Sequence, residues 1–218
     1  MIMGIFTFWK KKDQLPRRSL AEIKNGCKIL FIDDKKFDIV DRLKDKEGWK
    51  NTMRVKDLDS ITQTELQEAH IVLVDIQGVG KKMGCTDGGL GLIVAIKEKY
   101  PLKKIIMYSA ESQGKVDSFH PASNLVDFRL RKGATQYEFN SIIEKLAYEA
   151  FSLENCISRL KTILYNECSI TLSERDIEKK LAKLSVDKSS ESDISSVFNI
   201  QNAAAIANII QLFYSIKI

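Results

Sequence analysis

The chain has 218 residues, a net charge of +5, 44% hydrophobic and 29% charged residues. That balance fits a globular protein with a sizeable core and excludes a disordered or fibrous chain. The basic excess is local: residues 1–24 hold six lysines and arginines against two acids, while residues 151–218 carry eight of each sign. A dedicated nucleic-acid surface is therefore not expected.

Cys27, Cys85, Cys156 and Cys168 form no CxxC pair, and His70 and His120 are the only histidines. Neither a zinc site nor a disulfide framework is expected, and free thiols fit a reducing cytoplasm. No stretch of 18 apolar residues is present to span a membrane. The apolar start, Met1 to Trp9, is followed rather than preceded by the Lys10–Lys12 run, the wrong order for a secretory signal.

In chain order, residues 1–24 read as a basic and apolar arm. Phe6, Phe8 and Trp9 fold back on the domain or, in a sharper reading, touch an anionic membrane. Residues 25–150 alternate strands and helices. Cys27 to Ile32 reads as a buried strand, Lys36 to Lys44 as a helix, Asn51 to Val55 as a short strand and Thr64 to Ala69 as a helical stretch. His70 to Asp75 is a second buried strand, followed by a polar, Gly-rich loop from Gln77 to Gly88. Leu90 to Tyr100 is amphipathic and Pro101 stops it. Strands ending at Ser109 and before Lys132 follow, separated by the polar residues 111–124, and a helix runs from about Tyr137 to Phe151. This alternation predicts a parallel sheet covered on both faces and, with right-handed crossovers, doubly wound.

Residues 151–218 predict a helical appendage. Leu153, Ile157, Leu160 and Leu164 repeat at helical spacing, and Ser173 with Asp176 marks a helix start. Residues 187–193 read as a linker, and Ile194 to Ile218 as one final apolar helix. The Ile206, Ile209, Ile210, Phe213 and Ile216 face of that helix must be buried, either on the chain's own α/β domain or on another chain, with a second subunit the favoured cover.

In a parallel sheet all strand ends meet on one rim, where ligands of open α/β sheets bind. Asp33 and Asp34, Asp75, Ser109 and Lys132 each follow or end a predicted strand. Phosphoryl transfer to a carboxylate needs a nucleophilic acid, a cation, a positive side chain and a hydrogen-bond donor. Asp34 and Asp75, with Asp33 directly or through water, suit magnesium, which takes hard oxygen ligands. Lys132 and Ser109 suit the phosphoryl oxygens.

These motifs resemble the receiver domain of bacterial two-component response regulators. The matching text is Ile29-Leu30-Phe31-Ile32-Asp33-Asp34, Val72-Leu73-Val74-Asp75, Asp87-Gly88-Gly89-Leu90, Met107-Tyr108-Ser109-Ala110-Glu111 and Leu130-Arg131-Lys132-Gly133. The resemblance spans roughly residues 25–150. It implies a five-stranded flavodoxin/CheY-like fold and phosphorylation of Asp75, with Ser109 and Lys132 reading the phosphoryl group. It also implies Mg2+ at Asp34, Asp75 and the backbone carbonyl of Gln77, and a sensor histidine kinase or phosphotransfer protein as donor. The chain departs from the family in three places. The loop from Gln77 to Thr86 is longer, Gly133 stands where proline commonly follows the lysine, and Arg129 stands where the switch aromatic usually lies.

The expected function is thus a cytoplasmic phosphoacceptor switching a helical effector, not an enzyme acting on a separate substrate. The alternative is a degenerate receiver that serves only as a protein-binding scaffold. An aspartate-nucleophile phosphatase would show Asp-x-Asp after the first strand, and Asp33-Asp34 does not. The C-terminal helices fit self-association or partner docking better than DNA binding.

Overall fold

A computed structural model describes Leu15 and residues 17–101, 103–110, 120–185 and 187–215. Five strands form one sheet: β1 (Ile29–Ile32), β2 (Thr52–Val55), β3 (Ile71–Asp75), β4 (Lys104–Ser109) and β5 (Phe128–Arg131). Their order is β2-β1-β3-β4-β5 and every pairing is parallel. This is the doubly wound, flavodoxin/CheY-like architecture expected from the alternation. β1 pairs with β2 on one side and β3 on the other, so the topological switch point falls between β1 and β3.

The period of two along each strand divides the core. Ile29 and Phe31 of β1, Ile71 and Leu73 of β3, and Ile106 and Tyr108 of β4 belong to one cluster. It is covered by α1 (Leu20–Gly26), α2 (Asp38–Asp45) and α6 (Gln136–Phe151) through Ile23, Val40, Leu43, Phe139 and Ile143. The alternate residues Leu30, Ile32, Val72, Val74, Ile105 and Met107 form the other cluster. There α3 (Thr64–Glu68), α4 (Gly89–Lys99) and α5 (Ala122–Leu125) cover the sheet through Leu66, Leu92, Ile93, Ile96 and Ala122. β1 and β3 are buried on both faces, which explains their unbroken apolar runs.

The remaining helices are α7 (Leu153–Cys168), α8 (Glu174–Leu181), α9 (Glu191–Phe198) and α10 (Ala204–Ser215). They enclose a third cluster that includes Leu160, Ile177, Ile194, Ile206, Ile210 and Phe213. Ser152 separates α6 from α7: its extended backbone ends one helix while its hydroxyl accepts from Asn155 N–H to start the next. Ser173 caps α8 as its sequence predicts.

Three expectations need correction. The arm does not extend to residue 24: Ser19 and Glu22 form a capping box that starts α1, and Ile23 is fully buried. The linker assigned to 187–193 ends early, because Ser190 and Asp193 form another capping box at the start of α9. The single helix assigned to 194–218 is two, since Asn199 takes the left-handed conformation at the end of α9. Phe6, Phe8, Trp9, the Lys10–Lys12 run and Ile216 lie outside the described residues.

The apolar face of α10 is covered by its own chain. Ile206, Ile209, Ile210 and Phe213 are buried against the third cluster. Arg18 reinforces the dock: its Nη1 donates to the carbonyls of Phe151 and Phe213, and its guanidinium lies 4.8 Å above the Phe213 ring. This face is thus covered without a second subunit. Among the described residues no helix is long and apolar enough to cross a membrane.

Candidate functional site

The register of the sheet brings the acids together. Ile32 pairs with Val74, so Asp33 and Asp75 leave adjacent strands side by side. Asp75 pairs with Tyr108, which places Ser109 one residue further along the same rim. Lys132 follows β5, and its backbone N–H donates to the Ser109 carbonyl at 2.6 Å. The four predicted strand ends thus converge.

Asp33 is fully buried. Its Oδ2 accepts from Tyr108 Oη at 2.9 Å and lies 2.8 Å from Lys132 Nζ. Its Oδ1 accepts from Lys35 N–H at 2.9 Å. Arg54 Nη1 donates to the Asp33 carbonyl at 2.7 Å. Asp75 is 3% exposed. Its Oδ2 lies 2.6 Å from Lys132 Nζ, and its Oδ1 accepts from Gln77 N–H at 3.2 Å. Lys132 therefore bridges both buried carboxylates, with its ammonium 5.6 Å above Phe37 and 5.7 Å above Tyr108.

The electrostatics follow from burial and proximity. Burial raises the Asp75 carboxyl above its ordinary pKa, and the Lys132 and Gln77 hydrogen bonds only partly oppose it. Burial pulls Lys132 down, but the hydrogen bonds and charges of Asp33 and Asp75 outweigh it and leave the ammonium raised. Burial, then the negative charge of Asp33, pushes the Tyr108 phenol well above the usual range. Tyr108 is thus a donor to Asp33 at any working pH.

Asp34 is exposed, and its carboxylate lies with those of Asp33 and Asp75 inside a 4.8 Å cluster. The donors are all hard oxygens, which suits a cation of the magnesium or calcium kind and not a thiolate- or imidazole-bound metal. Three carboxylates face one ammonium, with Arg54 on the Asp33 carbonyl, so negative charge remains to be neutralised. The cluster can hold a metal ion.

Two glycines make this geometry possible. A Cβ on Gly89 would lie 2.2 Å from the Asp75 carbonyl oxygen, so only glycine lets α4 start against the end of β3. A Cβ on Gly78 would lie 2.5 Å from Asp34 Oδ2, and its φ of +84° already favours glycine.

The long loop after Gln77 is an ordered structure. Asp57, buried after β2, accepts from Gly80 N–H at 2.7 Å and Lys82 N–H at 3.1 Å. Lys82 also pairs with Asp59 at 2.7 Å. Arg129 donates from Nη2 to the Ser123 carbonyl at 2.6 Å, and Phe128 packs into the first core cluster.

Sequence reasoning identified Asp33, Asp34, Asp75, Ser109 and Lys132 and missed Tyr108, Phe37, Arg54 and Asp57. Tyr108 carried a usable signal: a tyrosine in a fully buried strand needs a partner for its hydroxyl. Asp57, in a polar stretch, carried none. Neither protein-family models nor curated proteins match this chain.

Proposed function

We propose that the chain is a phosphoacceptor signalling protein that works like a response-regulator receiver domain. In this reading a carboxylate oxygen of Asp75 attacks the phosphorus of a phosphohistidine or small acyl phosphate. An O–P bond forms to Asp75, the bond to the donor breaks, and the donor leaves with the electron pair. Mg2+ held by Asp33, Asp34, Asp75 and the Gln77 carbonyl would supply neutralisation of the phosphoryl oxygens. Lys132 moves from the carboxylates to one phosphoryl oxygen, and the Ser109 hydroxyl donates to another. A sensor histidine kinase or phosphotransfer protein is the proposed donor, the cytoplasm the proposed compartment, and residues 151–218 the proposed interaction region.

The observation that carries the reading is the Lys132 bridge between two buried carboxylates on adjacent strands. A lysine so placed is poised to follow negative charge as it shifts from carboxylate to phosphoryl oxygen. Beryllofluoride with magnesium tests it, since the complex mimics an acyl phosphate. Backbone amide resonances near Asp75, Ser109 and Lys132 should move in the native chain and stay put in Asp75→Asn. Unchanged spectra of the native chain would defeat the proposal.

A second reading is favoured by Arg129. Its guanidinium is engaged at the position where an aromatic side chain relays the signal in receivers. A scaffold that binds partners without phosphorylation would show the same fold and no response to beryllofluoride.

A further inference from the structure

At the opposite end of the sheet from the acids, a cleft of about 470 Å3 opens between the α/β body and α10. Its floor is built by Lys28, His70 and Lys103, the residues that lead into β1, β3 and β4. Tyr100, after α4, forms one wall, and Asn208 and Leu212 of α10 form the other. A volume of this size suits a small organic molecule.

The charge of the lining is one-sided. Lys28, Lys99 and Lys103 face the cleft against Glu68 alone. Glu68 is already engaged by Lys28 at 2.9 Å. Among the described residues no carboxylate pairs with Lys99 or Lys103. Lys103 is the most constrained of the three. Two of its three N–H donors go to the carbonyls of Gln67 at 2.8 Å and Ala69 at 2.6 Å, and its ammonium sits 4.8 Å from the Tyr100 ring centroid. Half-buried and with no counter-ion among the described residues, it keeps one donor in hand. Burial pulls its pKa down to about 8.

His70 adds no charge but fixes the shape. Its Nδ1 accepts from Lys28 N–H at 2.9 Å, so the ring is neutral with its proton on Nε2, 3.3 Å from Ser215 Oγ at the end of α10. The Tyr100 ring and Leu212 offer apolar surface beside the lysines.

We propose that this cleft binds a small organic anion, a phosphate monoester or carboxylate, whose charged oxygens meet Lys103 and Lys99 while its apolar body lies between Tyr100 and Leu212. Both walls are engaged at once, so the ligand ties α10 to the sheet. The site lies on the far rim from Asp75 and does not depend on the phosphoryl-transfer reading.

The test uses the full chain and three probes: phenyl phosphate, benzoate and inorganic phosphate, followed by calorimetry and by the His70 ring resonances. Phenyl phosphate or benzoate should bind and shift His70. Lys103→Met should weaken binding at least about tenfold, the scale of one charge-assisted hydrogen bond. Lys99→Ala, at the exposed rim and safe for folding, should weaken it severalfold. Asp75→Asn should leave it unchanged. Tighter binding of phenyl phosphate assigns a phosphomonoester and tighter binding of benzoate a carboxylate, and either upholds the site. Failure of both aromatic probes, undiminished binding in Lys99→Ala, or loss of binding in Asp75→Asn would overturn it. Equal affinity for inorganic phosphate would overturn the apolar half.

Discussion

Lys132 Nζ lies 2.6 Å from Asp75 Oδ2, closer than to any other acid it touches. Strands β3 and β5 are not neighbours, since β4 stands between them. The contact therefore reaches across the rim of the sheet, and both ends are sheltered, with side-chain exposures of 20% and 4%. Removing one member of such a pair leaves a largely buried charge uncompensated, a loss of roughly 3–5 kcal/mol before solvent screening softens it.

Lys132→Ala is accordingly expected to fold less stably in chelator and to recover more stability from magnesium than the native chain does. The carboxylates lose their internal cation and gain more from an added one. Thermal unfolding with and without magnesium measures both. A variant that no longer responds to magnesium would contradict the assignment of Lys132 to the phosphoryl group.

Tyr108→Phe keeps the ring that stacks on Phe37 at 5.5 Å and removes only the hydroxyl bonded to Asp33. A hydrogen bond to a charged group contributes about 1.5–3 kcal/mol, and urea denaturation should show a loss of that order. A neutral outcome would mean that Lys132 and Lys35 N–H alone hold Asp33.

His70 makes stability depend on pH. Burial, then Lys103 and Lys28, lower its folded pKa from the ordinary 6.5 to about 4. The unfolded chain therefore binds more protons between these values. The contribution is fully present above pH 6.5 and is lost progressively as pH falls towards 4. Urea midpoints at pH 7 and pH 5 should differ more for the native chain than for His70→Gln. Parallel pH profiles would remove His70 from the account.

Phe213 is fully buried under Arg18 and the third cluster. Phe213→Ala should cost about 3–5 kcal/mol, the range for truncating a buried phenylalanine. Because the face is covered within the chain, the native denaturation midpoint should not vary with protein concentration. A midpoint that rises with concentration would restore a second subunit to the core of the argument.

The rim and its acids were legible because strand periodicity, parallel pairing and residue type all point to the same end of the sheet. Ile32-Asp33 and Val74-Asp75 each mark where an apolar strand stops, and parallel pairing sets those ends side by side. The capping boxes at Ser19 and Ser190 were also written in the text, yet short helices with only two buried residues, such as Ile194 and Phe198 in α9, give little periodicity. The split at Asn199 was hidden because apolar residues continue on both sides of it. Side-chain partners across long separations, such as Tyr108 with Asp33 or Asp57 with Gly80, depend on packing that no local pattern encodes.

The central claim is that Asp75 takes a phosphoryl group. The most direct measurement is treatment with acetyl phosphate and magnesium, then borohydride, then peptide mapping. Borohydride reduces an aspartyl phosphate to homoserine and so marks the acceptor. The account predicts homoserine at position 75, none without magnesium and none in Asp75→Asn. Homoserine at Asp33 or Asp34 instead, or no homoserine at all in the native chain, would contradict it.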